Sequence, residues 1–77
     1  MTVIERIQDV FRYVFDDDNL IVKENTNPSD IEDWDSLANI QLVAELEREF
    51  GIKFLTSDFS KMTTVGGIIA VIDERSK

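Results

Sequence analysis

Chemistry in this 77-residue chain has to come from hydroxyls and carboxylates, because it contains no Cys and no His. Without them there is no thiolate nucleophile, no disulfide, no Ser-His-Asp arrangement and none of the usual zinc or iron ligand sets. Ser36 is the hydroxyl that stands out: it follows Asp35, precedes Leu37 and opens the best-patterned helical stretch. A Ser there is commonly just an N-cap, whose loss costs about 1 kcal/mol. Less commonly, it is a place for modification, since a helix N-terminus offers free N–H groups and a positive dipole end suited to an attached phosphate. Paired carboxylates offer less. Glu45 and Glu49 lie one turn apart on a helix that must bury Leu42, Leu46 and Phe50, so both are expected to face water, where carboxyls make poor general acids. A calcium loop needs Gly at its sixth position and Glu at its twelfth; a frame from Asp16 has Ile21 sixth, and one from Asp30 has Asp35. No catalytic residue and no metal ligand is expected.

The elements that must position Ser36 read as helices. Thr2 and Glu5 form a capping-box pattern, followed by an apolar stripe of Ile4, Ile7, Val10, Phe11 and Val14. The run Asp16-Asp17-Asp18-Asn19 ends that helix, because short polar side chains favour turns. Residues 16–35 form a long extended or turning connection through Pro28, which Leu20, Val22 and Ile31 could anchor to a core. A second helix over 36–50, capped by Asp35 or Ser36, repeats Leu42, Leu46 and Phe50 with Val43 beside them and ends at Gly51, suited to a left-handed cap. Ile52 and Phe54 bracket Lys53. Thr56 or Ser57 could cap a single turn through Asp58, Phe59 and Ser60. A last helix starts at Thr63 or Thr64, with Val65, Ile68, Ile69 and Ile72 on one side and Gly66 and Gly67 in its first turn. The expected fold is all-α: a small four-helix bundle of three main helices plus a short third one, with a long first loop.

Charge narrows the partners. Sixteen acids against eight bases give a net charge of −8, and residues 16–49 hold eleven of the acids with only two bases. Nucleic acid is excluded as a partner, since it requires clustered Lys and Arg. No apolar run approaches a membrane span and no signal pattern is present, so a cytoplasmic chain is expected. The hydrophobic fraction of 43% marks a folded chain rather than an acidic tail. A domain of this size buries only roughly 60% of its unfolded surface, which leaves little room for a deep active site.

The tripeptide Asp35-Ser36-Leu37 resembles the signature of acyl carrier proteins. The likeness runs on from Trp34 to Phe54 as WDSLANIQLVAELEREFGIKF and returns in Met62-Thr63-Thr64-Val65. With Leu42, Leu46, Glu47, Phe50 and Thr64-Val65 at matching distances, it covers essentially the whole chain, as a single acyl-carrier domain over residues 1–77. The resemblance implies that Ser36 carries a 4′-phosphopantetheine arm, installed by a phosphopantetheinyl transferase within the motif completed by Asp35 and Leu37. It implies a monomeric, non-catalytic carrier of acyl thioesters in fatty acid, polyketide or related biosynthesis. The second helix would face acyl-transferring, ligating or condensing enzymes with basic surfaces, through an apolar strip of Leu37, Ile40 and Ala44 flanked by Asp35, Gln41 and Glu47. Ordinary core is the other reading of that strip, above all for Ile40.

Three departures are informative. Fatty-acid carriers typically have acids where this chain has Ala38 and Gln41, and they typically lack a Trp where it has Trp34. A specialised carrier, for a polyketide, lipid-modification or aminoacyl pathway, fits these better. Peptidyl carriers usually have Gly-Gly where Asp33-Trp34 stands. The alternatives are an acidic interaction module in which Ser36 is only a cap, and a divalent-ion-responsive regulator using residues 16–35. Crowded acids repel, and salt screens that repulsion. The melting temperature is therefore expected to rise from low to moderate salt or with magnesium; a calorimetric scan showing no change would contradict it.

Overall fold

The capping box at the chain's start forms as the sequence anticipates. In a computed structural model describing residues 2–76, the Thr2 hydroxyl accepts from the Glu5 N–H (3.2 Å) while a Glu5 carboxylate oxygen accepts from the Thr2 N–H (2.9 Å). Helix α1, Val3–Val14, follows and buries Ile7, Val10 and Phe11. It stops in a left-handed turn at Asp16 (φ 51°), with the Asp17 N–H donating back to the Arg12 carbonyl (3.0 Å). Helix α2, Ser36–Phe50, ends at Gly51 (φ 64°), as expected, and the Ile52 N–H returns to the Glu47 carbonyl (3.2 Å). A 3₁₀ helix, Thr56–Lys61, and helix α3, Val65–Arg75, complete the chain. The protein is all-α, and no strand occurs among the described residues.

One core joins the three α-helices and the first loop. Phe11 and Ile7 of α1, Leu42 and Leu46 of α2, and Val65, Ile68, Val71 and Ile72 of α3 meet at its centre. Val22 and Ile31 reach it from the first loop, as expected, with Leu20 partly buried beside them. Trp34 and Met62 join them, and periodicity gave no sign of either. The Trp34 ring stands edge-on to Phe11, centroids 5.1 Å apart at 89°, an arrangement favoured by the ring quadrupoles.

The loop between α1 and α2 is tied down along its length. The Gln8 side-chain carbonyl accepts from the Val22 N–H (2.9 Å), and the Arg12 guanidinium donates to the Leu20 carbonyl (2.8 Å). Its most consequential contacts are with α3. The first N–H groups of a helix have no partner within it; here Val65 donates to the Thr26 carbonyl (2.9 Å) and Gly66 to that of Glu24 (2.7 Å). Thr64, rather than Thr63, caps α3 by accepting from the Gly67 N–H (3.1 Å).

The short third helix is present, but its cap differs from expectation. Neither Thr56 nor Ser57 caps it. The Leu55 N–H instead donates to Asp58 Oδ2 (2.7 Å). Asp58 is 1% exposed and takes two further bonds from the Arg75 guanidinium (3.1 Å each), which pin the 3₁₀ helix to α3. Asp58 and Arg75 lie seventeen residues apart, and nothing in the local pattern links them.

Two predictions follow from this packing. A Cβ on Gly67 would run into the Lys61 backbone carbonyl, which cannot swing aside as a side chain can. Gly67→Ala is expected to destabilise by about 1–3 kcal/mol, in spite of alanine's helix preference; chemical denaturation showing equal or higher stability would refute the clash. Asp58 is held below the usual aspartate range, first by the Leu55 N–H and then, against the opposing effect of burial, by Arg75 and Lys61. A depressed folded-state value adds stability that is present above the unfolded-state value, about 3.9, and lost as pH falls through the folded one. Asp58→Asn is therefore expected to melt lower at pH 7 and to lose less further stability below pH ~4. Parallel melting curves against pH for the two proteins would rule this out.

Candidate functional site

Asp35 has the extended backbone of an N-cap (φ −110°, ψ −171°), and its Oδ1 accepts from the Ala38 N–H at 2.9 Å. Its carbonyl accepts from the Asn39 N–H, also at 2.9 Å. Of the two candidate caps, then, Asp35 is the one used, and Ser36 is the first residue inside the helix. The Ser36 side chain is exposed and enters no hydrogen bond among the described residues. Capping leaves the Ser36 and Leu37 N–H groups at the helix end without intrahelical acceptors, so an uncommitted hydroxyl stands beside a partly positive helix terminus.

A shallow groove of about 320 Å³ opens next to this hydroxyl. The loop lines it with Pro28 and Trp34, α2 with Asn39, and the segment before α3 with Phe59, Met62 and Thr63. Trp34 is 7% exposed, and its indole N–H donates to Asn39 Oδ1 at 3.0 Å. Sequence reasoning noted Trp34 as the start of the family likeness and as a departure, Met62 within Met62-Thr63-Thr64-Val65 and Phe59 within a short turn, but placed none of them, nor Asn39, beside Ser36. The signal available was three residues, Trp34, Ser36 and Asn39, within one turn of the start of α2.

The outer face of α2 is apolar where it matters. Leu37 is 67% exposed and Ile40 is 68% exposed one turn later, with Gln41 and Ala44 also on the surface. Ile40 is thus not a core residue, as one reading had it, because the side of α2 that carries Leu42 and Leu46 turns it outward. The flanking carboxylates have internal tasks. Asp35 caps α2, and half-buried Glu47 accepts from the Phe54 N–H (2.8 Å) to hold the chain after the helix.

Glu49 is exposed, as expected, while Glu45 does not simply face water. Glu45 is half-buried and lies 3.8 Å from Arg48, while Glu49 pairs with Arg6 of α1 at 2.9 Å. The Arg6 guanidinium also donates to the Glu49 carbonyl (2.8 Å) and sits 4.3 Å over the Phe50 ring, which fastens α1 to the end of α2. No group of three or more His, Cys, Asp or Glu residues among those described is placed to hold a metal ion. No helix there is long and apolar enough to cross a membrane.

Comparison with known proteins supplies the context for this geometry. Residues 5–72 match the family model described as a phosphopantetheine attachment site. An acyl carrier protein of Streptococcus thermophilus is 32% identical over 77 residues, all of both chains. One from Lactobacillus acidophilus is 30% identical over 70 residues, 91% of this chain and 88% of its own. Among solved structures, the solution NMR structure of a holo acyl carrier protein from Geobacter metallireducens superposes with a TM-score of 0.89 at 33% identity, covering 97% of this chain and 86% of its own. On a family model spanning nearly the whole chain, full-length relatives and a shared fold, this chain belongs to the acyl carrier protein family.

Proposed function

We propose that Ser36 bears the family's covalent cofactor, 4′-phosphopantetheine, as a phosphodiester, and that residues 1–77 act as one non-catalytic carrier domain moving acyl groups between enzymes. The observation that carries the reading is the division of work at the start of α2. Asp35 supplies the cap, so the Ser36 hydroxyl is exposed and free to be esterified. The residues fit the group. The Ser36 and Leu37 N–H groups and the helix dipole favour a phosphate at this position, and the groove lined by Trp34, Asn39, Phe59 and Met62 borders the same hydroxyl.

When bound, the arm supplies the thiol this chain lacks, on which acyl groups are held as thioesters. What the protein contributes is presentation. α2 holds Ser36 at a corner of the bundle, and exposed Leu37, Ile40 and Ala44 form a small apolar face beside it. The partners are a phosphopantetheinyl transferase and acyl-handling enzymes with basic surfaces. Their encounter is steered by the acids of residues 16–35 more than by α2, whose Ala38 and Gln41 are neutral. That neutrality favours a carrier dedicated to one pathway over a general fatty-acid carrier.

Coexpression with an active transferase is expected to add the mass of one arm to the wild-type chain and none to Ser36→Ala, by intact-mass spectrometry. The same variants separate cap from attachment. Asp35→Ala is expected to cost about 1 kcal/mol, and Ser36→Ala to change stability far less. Arm addition to Ser36→Ala would overturn the assignment, and a full cap-sized loss in that variant would show Ser36 to be the structural residue.

A further inference from the structure

We infer that the Trp34–Asn39 side-chain hydrogen bond is a positioning device that fixes Ser36 for modification; the inference rests on the assignment of Ser36 above and adds residues to it. Trp34 lies two residues before Ser36 and Asn39 three after it, so the bond from the indole N–H to Asn39 Oδ1 (3.0 Å) closes a loop around the serine. Both ends of that loop are anchored. The indole ring is buried edge-on against Phe11 of α1, and the Trp34 N–H donates to the Ile31 carbonyl at 3.1 Å. The Asn39 N–H donates to the Asp35 carbonyl in the first turn of α2.

Side chains on a helix lean toward its N-terminus. The Asn39 amide therefore covers the turn that holds Ser36, and residues three apart share a face. Trp34 and Asn39 line the same groove as Ser36. A buried indole N–H must also find an acceptor, and Asn39 provides it at the one place where doing so ties the loop to the helix carrying the serine. Neither side chain touches the Ser36 hydroxyl in a hydrogen bond; they act by holding the backbone on both sides of it.

The test is a double-mutant cycle with Trp34→Phe, which keeps a ring against Phe11 but loses the donor, and Asn39→Leu, which keeps the bulk but loses the acceptor. Transferase kcat/KM is measured well below the melting temperature of each variant, with folding checked by circular dichroism. Each single change is expected to slow arm transfer about fivefold, the scale of one net hydrogen bond, and the double change to slow it no further than either alone. In the same samples the Ala38 amide, bonded to the Asp35 carboxylate, is expected to exchange about fivefold faster, again the scale of one hydrogen bond, while Leu46 in the core does not change. Additive losses, or unchanged rates and unchanged Ala38 exchange, would overturn the inference. Failure of the Ser36 assignment looks different: wild type takes no arm, or Ser36→Ala takes one, while Ala38 exchange still reports whether the bond holds the turn.

Discussion

The T-shaped contact between the Trp34 and Phe11 rings is the constraint that ends the first loop against the core, just before Ser36. Between α1 and α2 runs a connection of about twenty residues with no helix or strand, a length unusual in a compact domain. Such a segment must satisfy its own backbone and cannot wander if the residue at its end is to be presented reproducibly. Trp34 stops it at the core one residue before the cap of α2. Upstream, Val22 and Ile31 are buried, and Gln8 and Arg12 of α1 hold backbone groups of the loop. Helix α3 completes the arrangement by donating its unpaired N-terminal N–H groups to the Glu24 and Thr26 carbonyls. Loop and helix end each supply what the other lacks, so the longest irregular segment becomes part of the framework.

Charge is partitioned in a similar way. Few bases are available, and three of them serve internally: Arg6 joins α1 to α2 through Glu49 and Phe50, Arg12 holds the Leu20 carbonyl of the first loop, and Arg75 joins α3 to the 3₁₀ helix through Asp58. Because these arginines lie outside residues 16–49, the acids of the first loop have only Lys23 beside them in that loop to offset their charge. The strongly negative stretch therefore precedes the helix that presents Ser36. At the cap and along α2, Asp35 and Glu47 spend lone pairs on backbone N–H groups of the fold. The face beside the serine is more apolar than acidic, set by Leu37 and Ile40. Such a balance favours long-range steering by the loop and short-range fit by the helix.

Much of the fold was legible because it is local. Helix periodicity and caps act within about four residues, and the capping box at Thr2 and Glu5, the stop at Gly51 and the start at Thr64 all appear where their residue types place them. The anchoring of the first loop by Leu20, Val22 and Ile31 was legible too, as apolar residues stranded in a polar segment. What the local pattern left open was a choice between neighbours or between faces, and what it missed was the cap of the 3₁₀ helix, taken by Asp58 instead of Thr56 or Ser57. Asp35 and Ser36 are both good caps, and the carboxylate wins because its Oδ1 reaches the Ala38 N–H. Ile40 could belong to an exposed strip or to the core, and the position of α2 against α1 and α3 turns it to solvent.

By itself, then, the sequence determined the helices, their order, the excess of negative charge and a serine at a helix start in a motif shared with carriers. Tertiary structure alone decided which residues surround that serine. Trp34 meets Phe11 and Asn39, Asp58 meets Arg75, Gly67 meets the Lys61 carbonyl, and Phe59 and Met62 come to line a groove beside residue 36. Most of these contacts join residues well apart in the chain. Burial and hydrogen-bond satisfaction select them only once the helices have packed, so no short-range pattern encodes them.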